Sequence, residues 1–261
     1  YKDTFNDDHH LAVTGGFNYE YFYRKSVSAW GRDLSSITLD DLNLVGQNEA
    51  GVTETGVGGG QVGYALLGFF ARVNYDYLGR YLFEVSGRYD GTSRFAKEHR
   101  WGWFPSASAG WRISEEPFFE PAKDLVDNLK LRLSFGSLGN QSVSSYYTYM
   151  RLISIRDFAG YTFGEGGAMG KYSSLGAPIA SDLTWETAQQ WNLGVDFSML
   201  SNRFNLMADV YIRDTKDMLT AGVALPGVYG ASSPDMNAAD LRTKGYELTL
   251  RWRDQFQLFG K

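Results

Sequence analysis

Apolar and polar residues alternate along most of this chain. In 64–77 the odd positions are Ala65, Leu67, Phe69, Ala71, Val73, Tyr75 and Tyr77, while the even ones include Arg72, Asn74 and Asp76. In 81–90 Tyr81, Phe83, Val85, Gly87 and Tyr89 stand against Leu82, Glu84, Ser86, Arg88 and Asp90. A period of two marks a strand with two unlike faces. Only Leu78-Gly79-Arg80 separates these runs, which predicts a hairpin. The same alternation recurs in 11–24, 103–113, 129–136, 189–199, 204–213 and 246–253, so about eight strands are expected.

Most of these runs exceed the usual strand of a soluble sheet and match the roughly 9–11 residues that a tilted strand needs to cross a hydrocarbon core. The charges fall on one face of every run: Glu20, Arg24, Arg72, Asp76, Glu84, Arg88, Asp90, Arg112, Lys130, Arg132, Asp196, Asp209, Arg213, Glu247, Arg251 and Arg253. The opposite faces carry none. A soluble sheet with a buried inner face shows the same alternation. Strand length tips the reading toward a bilayer. So do Tyr19, Tyr21, Tyr23, Tyr75, Tyr77, Trp103, Trp111 and Trp252 near the ends of the apolar faces, because aromatic girdles form at that depth. The charges on the polar faces then serve as interstrand ion pairs in a wall, or as a polar interior for solutes or a plug.

Connections alternate as well. The links 78–80 and 200–203 are short; 25–63, 91–102, 137–188 and 214–245 are long. Outer-membrane barrels keep short turns in the periplasm and long loops outside. By parity 114–128 falls on the periplasmic side, and its Pro117, Phe118, Phe119, Pro121 and Leu125 predict a short helical cap over the rim. Pro105 cannot donate to a ladder, so a bulge is expected there.

Composition narrows the field. Trp 7, Tyr 17, Phe 17 and Gly 30 in 261 residues fit a β-protein. Zero cysteines exclude disulfide scaffolds, thiolate zinc sites and cysteine nucleophiles. A net charge of −5 argues against a nucleic-acid partner. Mean hydropathy is −0.32, and no long apolar run predicts a membrane-spanning helix. The chain starts at Tyr1 with no charged and apolar leader, and stops at Lys261 just after an apolar-looking segment begins. A piece of a longer chain is expected.

No catalytic, cofactor or metal site is expected. Asp7-Asp8-His9-His10 reads as a polar strand start, since adjacent histidines in a strand point to opposite faces. Gly56-Val57-Gly58-Gly59-Gly60 lacks the strand before, the helix after and the Lys-Ser/Thr of a phosphate loop, and reads as a flexible external loop. Asp214-Thr215-Lys216-Asp217 is only superficially like a phosphorylated-aspartate motif, and no serine sits in Gly-x-Ser-x-Gly. Glu115 and Glu116 are adjacent on a turn and read as solvated.

Several stretches resemble the barrel of SusC/RagA-type TonB-dependent outer-membrane transporters. They are Gly87-Arg-Tyr-Asp-Gly-Thr-Ser-Arg-Phe95, Trp101-Gly-Trp-Phe-Pro-Ser-Ala-Ser-Ala-Gly-Trp-Arg-Ile-Ser114 and Leu129-Lys-Leu-Arg-Leu-Ser-Phe-Gly136 with Gly139-Asn140-Gln141. Trp185-Glu186 leading into Asn192-Leu-Gly-Val-Asp-Phe197, and Asn237-Ala-Ala-Asp-Leu-Arg-Thr-Lys-Gly-Tyr-Glu-Leu248, complete the set in the family's order. The resemblance implies an all-β fold: an antiparallel up-and-down transmembrane β-barrel segment whose strands are roughly a third of a 22-stranded barrel. It implies no enzyme and no cofactor. The expected role is wall and extracellular loops of an importer of bulky nutrients, glycan or peptide pieces, in a Gram-negative outer membrane. The partners it implies are outer-membrane lipid, a SusD-like surface lipoprotein, the glycan or peptide ligand, and TonB, which acts through a segment not found here. The family's plug and N-terminal extension are not recognisable in 1–261, and the residues that touch substrate are not identified. Two other readings stay open: a complete eight-stranded structural or adhesive barrel, and a secreted soluble glycan-binding β-protein.

Three structural expectations follow. Strands that neighbour in sequence should pair in space. Leu67, Phe69, Val73, Phe83, Val85, Leu131, Leu133, Val195, Phe197, Leu206, Val210, Leu248 and Leu250 should share one exposed surface. The sheet should stay open, with edges at 11–24 and 246–253, because a closed eight-stranded lumen would have to satisfy every charge on the polar face.

Overall fold

A computed structural model describes residues 1–254 except 37, 39, 40, 144, 164–167, 177, 180, 181, 231 and 232, with backbone alone at 157–163, 168, 169 and 229. The apolar-looking tail at 255–261 lies outside the described residues. The strands are β1 (Lys2–Phe5), β2 (His9–Gly31), β3 (Thr55–Tyr77), β4 (Tyr81–Thr92), β5 (Trp101–Arg112) and β6 (Val126–Asn140). They continue with β7 (Ile153–Phe163), β8 (Ala168–Leu175), β9 (Glu186–Met199), β10 (Phe204–Ala221) and β11 (Asp235–Trp252). Nine form one sheet in the order β1-β2-β3-β4-β5-β6-β9-β10-β11, and β7-β8 is a separate hairpin within the long 137–188 connection. Among the described residues the order is linear, with β1 and β11 at its edges. The expected edge at 11–24 is corrected at its start, where β1 pairs Lys2–Phe5 with Ala12–His9.

Register carries the alternation across strands. One row reads Val73, Val85, Ala107, Phe135, Trp191, Ile212; another reads Ala109, Leu133, Leu193, Val210, Tyr246. Interleaved with them runs Asn74, Glu84, Ser108, Ser134, Asn192, Tyr211. Directly opposed residues point to the same face, so the sheet has one apolar and one polar side. The residues expected on a common surface are exposed or half-buried, none buried: Val85 is 59% exposed, Val210 53% and Leu248 62%. Among the described residues the only buried hydrophobics are Phe95, Phe104, Leu183 and Trp185.

The three-residue turn at 78–80 places Leu78 and Gly79 at φ 55° and 65°, and the Asp76 carboxylate accepts from the Gly79 amide at 2.7 Å. At 200–202 three consecutive residues take positive φ, and the Asp127 carboxylate accepts from the Asn202 amide at 2.7 Å. Two expectations fail. Gly56–Gly60 lies in β3, not in an external loop, because ladder hydrogen bonds come from the backbone and need no side-chain signal. Pro105 makes no bulge: it sits opposite Gly87 in regular register, and the β5–β6 ladder begins only at Ser106, beyond which Pro105 lies. Residues 20–65 form a compact part of their own, the outer halves of β2 and β3 and their connection; within it Phe22 stacks on Tyr64, whose hydroxyl donates to Glu20 at 2.9 Å.

Candidate functional site

The polar face is an ionic wall. Arg132 donates to Asp196 through Nε and Nη2 at 2.9 Å each, and to Asp209 at 3.1 Å. Asn192 donates to the other Asp209 oxygen at 3.0 Å. Gly194 lies between these groups; a Cβ there would come within 2.4 Å of Asp209 and 2.7 Å of Arg132. Arg88 forks onto Asp90 at 2.9–3.0 Å and reaches Asn18 at 3.1 Å, while Arg72 faces Glu84 at 3.7 Å. Ser86 and Ser106 share a 2.6 Å hydrogen bond across the β4–β5 ladder. A concavity of about 950 Å³ opens on this face, lined by Lys2, His10, Asn74, Glu84, Lys130 and Arg132 among others. Such a surface suits water and polar solutes, and its charges stabilise one another across strands.

At the long-loop end the same face carries an aromatic cluster that alternation alone did not reveal. Phe104 stands on the side of Ser106 and Ser108 and is buried. The Trp185 ring meets Phe104 edge-on at 5.3 Å and Phe95 at 5.8 Å. Cβ atoms added at Gly102 and Gly139 would fall 2.4 and 2.0 Å from the Phe104 ring, so only glycine leaves room for it. The Trp185 indole donates to the Arg100 carbonyl at 3.0 Å, and Arg100 Nε donates to the Phe95 carbonyl at 3.1 Å. Asn237 ties in β11 by donating to the carbonyls of Thr184 and Asp217 at 3.1 and 2.6 Å and accepting from the Thr184 amide at 2.9 Å. Arg94 and Arg100 cover the rings of Tyr146 and Tyr149. Phe95, Phe104, Gly139, Trp185 and Asn237 each come from a different one of the stretches that carry the family resemblance. Those stretches therefore share a structural task, pinning the 92–101 and 137–188 connections to the wall. One signal in the sequence pointed here: Phe104 interrupts an otherwise small and polar set of even positions in β5.

At the short-turn end Ile113–Glu115 and Pro117–Ala122 are 3₁₀ turns. Glu116 is buried, which corrects its reading as solvated; Glu115 is exposed as expected. The Glu116 Oε1 accepts from the Tyr81 hydroxyl at 2.6 Å and the Trp111 indole at 2.9 Å, and its Oε2 faces Arg80 at 3.8 Å. The Tyr81 hydrogen bond first, then the Trp111 one, hold its carboxyl below the usual carboxylate range, with a smaller contribution from the Arg80 charge.

The remaining motifs resolve into structure. His9 shares a 2.8 Å hydrogen bond with Tyr75, while its neighbour His10 lines the concavity on the other face. Asp214 pairs with Arg242 through two bonds of 2.5 and 2.9 Å, and Asp217 lies at a register shift with φ 56°.

With this geometry in view the comparisons with known proteins decide the family. The TonB dependent receptor-like, beta-barrel family matches residues 1–261. The chain belongs to that family. As a TonB-dependent receptor barrel it is part of an outer-membrane β-barrel. The TonB-dependent receptor SusC of Bacteroides thetaiotaomicron is 37% identical over 188 residues, 71% of this chain and 18% of SusC. The TonB-dependent receptor P3 of Formosa agariphila is 30% identical over 251 residues, 94% of this chain and 23% of P3. Among solved structures, the RagAB peptide importer in its "closed-closed" state superposes with a TM-score of 0.82 at 27% identity, over 98% of this chain and 27% of that one. Its "open-open" state gives 0.80 over 96% and 26%. The receptor barrel described here thus spans about a fifth to a quarter of the length of these relatives.

Proposed function

We propose that this segment is barrel wall and extracellular loop of an outer-membrane importer of bulky nutrients, glycan or peptide pieces. In this reading the short turns face the periplasm, and a plug and TonB-coupling segment lie elsewhere in the whole protein. A SusD-like surface lipoprotein covers the long-loop end, and the segment itself makes and breaks no bond. The observation that carries the reading is the superposition of nearly the whole chain on the RagAB peptide importer at a TM-score of 0.82. The two-faced sheet supports it: an apolar side for lipid and a charged, self-paired side for a wet or plugged lumen. The test is uptake of labelled oligosaccharides and oligopeptides by cells carrying the whole receptor and its lipoprotein, with and without TonB. Uptake of one of these classes that vanishes without TonB is expected. Equal uptake in both strains, or none of either class, overturns the proposal.

A further inference from the structure

The segment that leaves β5 turns Glu116 to the apolar side of the sheet. Glu116 is bonded to Tyr81 and Trp111, and both stand on the apolar side of the sheet in the row Tyr77, Tyr81, Trp111, Leu131. Neither of the two cavities on the polar face described here, one lined by Lys130 and Arg132 and the other by Asn128 and Ser198, is lined by any residue of 113–125. Beyond Glu116 the segment exposes Phe118 (66%) and Leu125 (54%). Part of its backbone pairs within the segment. The amides of Glu116, Phe119, Lys123 and Leu125 donate to the carbonyls of Ile113, Glu116, Glu120 and Ala122 at 3.0–3.2 Å, and Pro117 and Pro121 have no amide to satisfy. Lys123 lies 3.3 Å from Glu120 and 4.0 Å from Glu115, while Asp124 is exposed.

From this we infer that residues 113–125 form an interfacial anchor, lying in the headgroup zone of the leaflet at the short-turn end with Phe118 and Leu125 in its acyl boundary. The occupant of this surface is the lipid bilayer, because the segment is tied through Glu116 to Tyr81 and Trp111, which stand in the outward apolar row. A partly self-paired backbone and a carboxylate with both oxygens engaged suit the edge of a membrane. Aromatic and charged neighbours suit that depth. The inference rests on the outward face being the lipid face and is independent of whether the barrel imports anything.

The experiment uses the whole receptor containing this chain, folded in phosphatidylethanolamine–phosphatidylglycerol bilayers. This chain has no cysteine; any cysteine outside it is replaced by serine. Spin labels are placed singly at Phe118→Cys, Leu125→Cys and Glu120→Cys, with Leu250→Cys as the lipid reference. Collision with oxygen, which concentrates in lipid, is compared with collision with a nickel chelate, which stays in water. Labels at 118 and 125 should favour oxygen as the label at 250 does, and the label at 120 should favour nickel. Nickel-favoured values at 118 and 125 would overturn the proposal by placing the turn in water. Shielding of both sites from both reagents would overturn it by placing them under protein. A label-free version uses Phe118→Trp: its added emission should be quenched by lipids brominated near the headgroup, and an unquenched gain overturns the proposal equally.

Discussion

Two apolar regions of this molecule obey opposite rules. On the outer wall, Val85, Val210, Leu248 and Leu250 are each more than half exposed, and none of the residues expected on the same face is buried. In the cluster at the long-loop end, Phe95, Phe104, Leu183 and Trp185 are buried on the face that otherwise carries the charges. A soluble chain of this length would bury far more apolar side chain than four residues. Here most of it stays on an open face of the sheet, and protein packing is kept for the place where connections must be held against the wall. Apolar periodicity and burial, usually two views of one fact, have come apart.

That contrast can be broken by experiment. Trp185→Ala removes a ring packed on two others and an indole hydrogen bond, and should destabilise by about 3–5 kcal/mol. Denaturant unfolding of the receptor in bilayers measures it, and proteolysis within 141–184 should become rapid. An arginine at Val85, mid-height on the wall, should cost about 2–4 kcal/mol in lipid, whereas Ser108→Arg on the polar face should cost little. Equal costs at the two positions would mean that the faces do not differ as described. Gly139→Ala should cost about 1–3 kcal/mol, since its methyl group would overlap the Phe104 ring. Pairing it with Phe104→Leu should recover part of that loss.

The smallest effect separates the wall from its rim. The Glu116 carboxyl titrates lower in the folded receptor than in the unfolded chain, so its stabilising contribution is fully present above the ordinary carboxylate pKa. It is lost as pH falls through the lower, folded value. Amide-exchange protection of 113–116 should therefore persist at mildly acidic pH and drop only below it, and Glu116→Gln should flatten that dependence.

Much of the wall was readable from alternation because every face-choice repeats at each second residue. The runs at 64–77, 81–90 and 204–213 reappear inside β3, β4 and β10, and the charge-free face is the apolar one. What alternation missed lacks side-chain contrast. β1 and the extension of β3 through Gly56–Gly60 are specified by backbone pairing and carry little apolar signal, and the hairpin β7-β8 lies inside a connection read as a loop. The rim segment was expected as a cap, but its lean toward the apolar side depends on Glu116 meeting Tyr81, which is 35 residues away in the chain. The aromatic cluster was signalled by Phe104 alone for the same reason, though Phe95, Phe104 and Trp185 lie within the very stretches that carried the family resemblance. Their kinship was legible before their purpose was.

The bond from Trp185 to the Arg100 carbonyl, 85 residues apart, has a consequence for the order of assembly. Hairpins such as β3-β4 and β9-β10 close across a few residues and can form early, whereas the aromatic cluster needs the 93–100 and 141–185 connections, far apart in the chain, to meet first. It can therefore act only as a late catch. Loosening it by Trp185→Ala should hasten unfolding while leaving the folding rate nearly unchanged. A cluster of four side chains then sets how long the wall lasts, having had no part in how fast it forms.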